Sequence, residues 1–295
     1  MDRAIRATAR RWLAEARAAI VVEVTAALGS APREAGTRML VAASEAVGTV
    51  GGGHLELKAV QHAREMLRTR EPAPHAEQAI QHFALGPALG QCCGGAVTLG
   101  YRTLDAAALA RWPEPAPLFH LQLYGAGHVG RAIATLLATL DVSVDWIDER
   151  EAEFAATTTL GTPWPAHIRR VCVDAVEGEV RLAGPGTFYL VLMHDHDLDL
   201  RITEAILKRG DFGYLGLIGS KTKRQRFIHR FEQRGVDPDA IARMTCPIGV
   251  QPGAGKEPEV IALGVVAQLL QRLGMLAAAA ATAAPPARTA PAATT

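Results

Sequence analysis

The run PLFHLQLYGAGHVGRAIATLLATLDVSVDWIDE, residues 117–149, constrains this chain more than any other stretch. Phe119, Leu121 and Leu123 alternate as a strand does, and Gly125, Gly127 and Gly130 then turn the chain. Val129, Ile133, Leu136, Leu137 and Leu140 share one face of the helix that follows. Val142, Val144, Trp146 and Ile147 form a second strand that ends at Asp148. In a dinucleotide-binding βαβ unit the first glycine makes the tight turn, and the second lets the backbone approach a pyrophosphate. The third lets the helix close on the sheet, and an acid at the end of the second strand holds a ribose hydroxyl. A bare GxGxxG is weak evidence, but here strand, turn, helix, strand and acid come in order. A Rossmann-type unit is therefore expected, with Gly125, Gly127, Gly130 and Asp148 at its ligand edge and His128 inside the turn, close to any bound phosphate.

The chain around that unit has 295 residues, enough for one large or two modest domains. Residues 2 to about 18 read as a helix, 20–25 as a β-branched strand, and GTVGGG at 48–53 feeds a second helix. Short strands are expected at 79–85 and 96–101, flanking GPALGQCCGG. The proline-rich segment RWPEPAP at 111–117 is the best interdomain linker. Beyond residue 149, strands at 170–173, 187–193 and 214–219 alternate with helices at 198–209, 220–234 and 258–273, which implies a mostly parallel sheet. The fold class is thus α/β, with a C-terminal Rossmann-type sheet and a smaller N-terminal mixed α/β domain. The expected division is 1–105, a linker at 106–117, 118–275, and a disordered Ala/Pro/Thr tail at 276–295.

Thirty-one basic residues against 30 acidic ones leave a net charge of +1, which offers no electrostatic case for nucleic acid or an anionic membrane. The first helix is charged throughout, unlike a secretory signal, and no uninterrupted apolar run is long enough to span a bilayer. Four cysteines, two of them adjacent, make no disulfide framework, so a cytoplasmic protein is expected.

Several groups are candidates for chemistry. Cys92 and Cys93 lie among glycines, where a thiolate ligates a soft metal or passes sulfur; on composition alone the packing reading leads. Cys172 and Cys246 read as packing residues. Gly51, Gly52 and Gly53, before His54 and Glu56, offer backbone N–H groups at a helix start, equally an anion cradle or a turn that needs positive φ. Ser220, Lys221, Lys223, Arg224 and Arg226 put cations at a helix N-terminus, against the macrodipole, which calls for an anion nearby. In HDHD, His194 to Asp197, a helix cap competes with a metal site and takes the larger share. GVQPGAGKEP lacks the Walker spacing, and Glu257 follows Lys256 where Ser or Thr is needed, so an ATPase is rejected.

Together GSAPREAGTRML, GTVGGGHLE, LGPALGQCCGG, LYGAGHVGRAIA, MHDHDLDL, YLGLIGSKTKR and CPIGVQPGAGKEPEVIA resemble the XdhC/CoxI family, xanthine dehydrogenase accessory proteins, and the XdhC branch in particular. The resemblance runs from about residue 20 to 273. It implies a cytoplasmic protein that binds the molybdenum cofactor (molybdopterin), protects it while a cysteine desulfurase supplies its terminal sulfur, and delivers it to apo-xanthine dehydrogenase. A homodimer is implied as well, and a maturation factor or chaperone rather than a turnover enzyme. On this reading Cys92 and Cys93 become contacts to molybdenum. The glycine turns, His54, Glu56 and the start at Ser220, Lys221 and Arg224 become cofactor contacts. The competing reading is an NAD(P)-linked oxidoreductase using Gly125, Gly127, Gly130 and Asp148. For it the sequence offers no separate catalytic domain and no proton donor better than His128, His194 or His196.

Overall fold

A computed structural model describes residues 2–69, 79–85, 94–113, 116–250 and 255–283. The chain divides into two compact units, Met1–Ala116 and Pro117–Thr295.

In the first unit the elements run α1 (Asp2–Ala14), β1 (Ala19–Leu28), β2 (Arg38–Ala42), β3 (Ala46–Gly48), α2 (Gly53–Thr69), β4 (Ala79–Ala84), β5 (Ala96–Thr103) and α3 (Ala106–Ala110). The five strands form one antiparallel sheet in the order β3-β2-β1-β5-β4. Successive side chains of a strand point to opposite faces, and β1 uses both. Ile20, Val22 and Val24 pack with Leu55, Ala59 and Ala63 of α2. Ala19 and Val21 pack with Ile5, Ala9 and Trp12 of α1. The segment expected to link the domains is structured through Trp112. Asp105 caps α3 by accepting the Ala108 N–H, Trp112 is buried beside Leu104 and Leu109, and Arg6 Nη1 donates to the Trp112 carbonyl at 3.0 Å.

The second unit runs β6 (His120–Tyr124), α4 (His128–Leu137), β7 (Ser143–Asp148), β8 (Ile168–Cys172), β9 (Phe188–Val191), α5 (His196–Arg209), β10 (Tyr214–Leu217), α6 (Lys221–Gln233), α7 (Pro238–Ala242), β11 (Met244–Thr245) and α8 (Pro258–Ala283). All six strands are parallel, in the order β11-β10-β9-β6-β7-β8. The chain starts at β6, moves outward to β8, and returns to the other side at β9. The strand order therefore reverses between β6 and β9, where doubly wound sheets bind ligands at the carboxyl ends of the strands. Leu121, Leu123, Val144, Trp146 and Leu190 pack under α4 and α8. Tyr124, Ile147, Tyr189, Val191 and Leu215 pack under α5, α6 and α7.

In β6 the polar residues Gln122 and Tyr124 alternate with leucines and are buried. A 3-10 segment, Val176–Leu182, connects β8 to β9. Its Glu179 carbonyl accepts Gln122 Nε2 at 2.9 Å, while Gln122 Oε1 accepts the Tyr124 hydroxyl at 2.7 Å. Each buried polar atom of the strand is thus paired, as burial demands.

At its C-terminal end α8 departs from expectation. It continues ten residues beyond Leu273, into the segment expected to be a tail, because alanine there favours helix. Its stretch Pro258–Ala279 is, by length and composition, long and apolar enough to cross a bilayer, although Glu259 and Arg272 interrupt it. Ala262, Val265, Val266 and Leu269 on it pack into the core with Ile133 and Leu137 of α4.

Candidate functional site

The glycines of the turn after β6 have three different tasks. Gly125 has φ +119°, and a Cβ on it would lie 2.3 Å from the Leu192 carbonyl oxygen. A Cβ on Gly130 would lie 2.0 Å from the Gly125 oxygen, so α4 can close on the strand only with glycine there. At Gly127 a Cβ would meet no atom of the described residues within 4 Å. The turn is pinned from below by the buried Trp146, whose Nε1–H donates to Gly125 O at 2.9 Å. Gly127 is the N-cap of α4 and supplies no side-chain cap, so the first N–H groups of that helix face the open side of the turn. Such a helix start attracts anions. His128 is exposed on its first turn.

Asp148, expected at a ribose, is engaged within the chain. It is fully buried, and both carboxylate oxygens are occupied. Oδ2 accepts the Ala126 N–H at 2.7 Å and Arg150 Nη2 at 3.0 Å. Oδ1 accepts the Arg150 backbone N–H at 2.9 Å and Arg150 Nε at 3.0 Å. Burial opposes the charged form, but the Arg150 side chain and the two backbone donors outweigh it and hold the carboxyl below its usual range. A carboxylate has about four acceptor directions, and here four donors fill them. Asp148 therefore braces the glycine turn, with a donor for each of its acceptor directions.

Glu149, next in the chain, was not singled out from sequence. Its Oε1 lies 3.8 Å from Nε2 of His194, so the ends of β7 and β9 carry an acid and an imidazole on either side of the glycine turn. The rest of HDHD is structural. Asp195 Oδ1 accepts the N–H groups of Asp197 at 2.8 Å and Leu198 at 2.9 Å, the N-cap of α5. No group of His, Cys, Asp and Glu arranged to hold a metal ion occurs among the described residues.

At the start of α6, Ser220 Oγ accepts the Lys223 N–H at 3.2 Å. The cations there divide by role. Lys223 turns inward, with Nζ 2.5 Å from Oδ2 of the fully buried Asp199 and 2.9 Å from the Ile218 carbonyl. Asp199 Oδ1 also accepts the Met193 N–H at 2.9 Å. Lys221, Arg224 and Arg226 have no carboxylate partner among the described residues. The two glycine- and serine-started helices α4 and α6 thus both begin at the carboxyl end of the sheet. Cys246 is buried at that edge, where burial pushes its thiol up. Cys172 is exposed at the end of β8, which corrects its reading as a packing residue.

In the first unit Gly51, Gly52 and Gly53 have φ of 138°, 74° and 61°. Gly51 N–H donates to Thr49 Oγ1 at 3.1 Å, and Gly52 N–H donates to Glu56 Oε2 at 3.2 Å. The Thr49 hydroxyl donates to that same Glu56 oxygen. The anion at this helix start is the chain's own Glu56, in the manner of a capping box. That favours the turn reading of the triple glycine over the cradle. His54 is exposed on α2. Cys92 and Cys93 lie outside the described residues.

Residues 121–269 match the XdhC Rossmann domain and residues 12–82 match the XdhC and CoxI family. The uncharacterized protein YqeB of Escherichia coli (strain K12) is 30% identical over 259 residues, which is 85% of this chain and 43% of YqeB. The chain thus spans less than half the length of that relative. A crystal structure described as a xanthine dehydrogenase from Bacillus halodurans is 18% identical and superposes with a TM-score of 0.72, covering 92% of this chain and 96% of its own. At that identity the likeness is one of fold. With both halves of its sequence matched in order, the chain belongs to the XdhC and CoxI family.

Proposed function

We propose that this chain is an accessory protein of xanthine dehydrogenase maturation, and that it binds the molybdenum cofactor and hands it to the apo-dehydrogenase without turnover of its own. One observation carries the reading. At the carboxyl edge of the Rossmann sheet the start of α4 carries no side-chain cap, while Asp148 is engaged within the chain. Gly127 leaves room beside the uncapped start of α4, and Lys221 and Arg224 have no carboxylate partner among the described residues at the start of α6. Asp148, which a dinucleotide site would need, is fully bonded to Ala126 and Arg150. Molybdopterin carries a phosphate, and the residues present fit that group.

On this reading the N–H groups after Gly127, with Ser220, Lys221 and Arg224, hold the phosphate, and His128 and His194 border it. The bound cofactor supplies a molybdenum centre whose terminal sulfur is installed before delivery. Cys92 and Cys93 of the first unit are the proposed soft donors to molybdenum, on chemistry alone. Xanthine dehydrogenase, a cysteine desulfurase and a second copy of the chain are the proposed partners, in the cytoplasm.

The test is to purify the protein from cells that make the cofactor, oxidise a denatured sample, and measure pterin fluorescence and molybdenum together. Stoichiometric pterin with molybdenum is the expected result. Tight NADH binding with no pterin would replace this reading by the oxidoreductase.

A further inference from the structure

Apart from the carboxyl edge, a concave surface lies at the opposite end of β10. A cleft of about 370 Å³ opens there between the edge strand β11 and the second half of α8. Its volume falls in the range of small-molecule pockets. We propose that it binds a small organic anion, a carboxylate on a compact apolar body.

The argument rests on which atoms the cleft offers. Tyr214, Arg243, Thr245, Gln268 and Arg272 supply its polar wall, and Met275 part of its apolar one. Gln268 is fixed in orientation. Its Oε1 accepts both the Tyr214 hydroxyl at 2.7 Å and the Gly249 N–H at 2.9 Å, and a backbone N–H can only donate. The amide N–H₂ end is left for the cleft. Among the described residues Arg272 spends only Nε, at 3.5 Å, on the Gly213 carbonyl. Arg243 is held on Gly210 O at 2.9 Å and on Phe212 O, with its guanidinium 4.0 Å from the Phe212 ring centroid. It is rigid there and brings a positive charge. No aspartate or glutamate lines the cleft among the described residues. Two guanidinium groups and a donating amide, with no carboxylate to neutralise them, select an oxyanion. The planar fork of Arg272 suits a carboxylate in particular. The cleft is larger than an inorganic ion needs, and Met275 gives an apolar body something to cover.

The experiment titrates the isotopically labelled full chain with sodium benzoate, and separately with inorganic phosphate, at constant ionic strength. Chemical shifts of the Gln268 side-chain amide and the Gly213 and Thr245 backbone amides are followed. Saturable benzoate-dependent shifts at these groups are expected, with weaker, non-saturating ones for phosphate. Arg272→Gln should weaken benzoate by about ten-fold or more, the loss of one charge-assisted contact. Gln268→Glu keeps an acceptor for Tyr214 and Gly249 and should abolish binding by repulsion, which guards against a variant that merely unfolds. Shifts that do not saturate, or wild-type affinity in both variants, would overturn the site. Equal saturation by phosphate would overturn the organic class of the ligand.

Discussion

The guanidinium of Arg150 donates through Nε and Nη2, each at 3.0 Å, to the two oxygens of the carboxylate two residues before it, Asp148. The pair closes the end of β7 over the glycine turn, since Asp148 also holds the Ala126 N–H. Asp148→Asn leaves one donor facing another and a guanidinium without its anion. Losing one partner of a buried ion pair costs about 3–5 kcal/mol, and Arg150 is partly exposed, so the lower end is expected. Urea denaturation measures it. Because Asp148 is a brace, affinity for phosphate per folded molecule should be unchanged; a selective loss of affinity at intact stability would make it a ligand contact instead.

Lys223 and Lys221 are two positions apart on α6 and should behave in opposite ways. Lys223 is paired with a fully buried Asp199 and holds the Ile218 carbonyl, tying α5 to the end of β10. Lys223→Ala is expected to cost about 3 kcal/mol or more by stranding that carboxylate. Lys221→Ala should leave stability within about 0.5 kcal/mol of wild type, as at an exposed helix start. It should instead weaken anion binding at matched ionic strength. Thermal denaturation and a phosphate titration on the same two variants separate the roles.

Asp145 gives the fold a pH dependence in acid. Burial raises its carboxyl, but hydrogen bonds and charge from His120, at 3.3 Å, and Arg169, at 2.8 Å, outweigh this and bring it down to about 2. A carboxyl lowered in the folded state contributes fully above its unfolded value, near pH 4, and the contribution is lost as the pH falls towards 2. It is on the order of 1–2 kcal/mol, discounted because Arg169 is largely exposed. Asp145→Asn should flatten the stability curve between about pH 4 and 2. A curve of unchanged slope would assign the acid sensitivity elsewhere.

The parts of this fold that were legible in the sequence are those decided within a few residues. The Gly125–Gly130 spacing and the helix cap within His194 to Asp197 both act on their own turn. What stayed hidden depends on partners brought together by the fold. Lys223 looks like one more surface cation until Asp199, 24 positions away, is placed beneath it. Asp148 reads as a ribose acid by position, although Arg150 two residues on was a usable sign that its charge is spent locally. Gly51 to Gly53 read equally as cradle or turn because the sequence does not say that Glu56 folds back onto them. The all-antiparallel order of the first sheet was likewise out of reach, since strand pairing there joins segments far apart in the chain.

Gly127 and Gly130 make the sharpest comparison for the proposed function, because the same added methyl group has opposite consequences at each. At Gly130 it would sit 2.0 Å from the Gly125 carbonyl oxygen, a contact that backbone on both sides cannot relieve without moving α4 off the sheet. Gly130→Ala should therefore lower the melting temperature and solubility of the protein, ligand or none. At Gly127 the methyl group meets no atom of the described residues within 4 Å, and φ is −65°, which alanine adopts freely. Gly127→Ala should fold as the wild type does, so any loss it suffers lies in what approaches from outside. If a phosphate closes on the start of α4, that methyl group occupies its path. Pterin retained after purification should then fall by about ten-fold or more, the loss of a charge-assisted contact to a helix start. Full retention of pterin by a well-folded Gly127→Ala variant would remove this turn from the binding site and leave the cofactor to other parts of the chain.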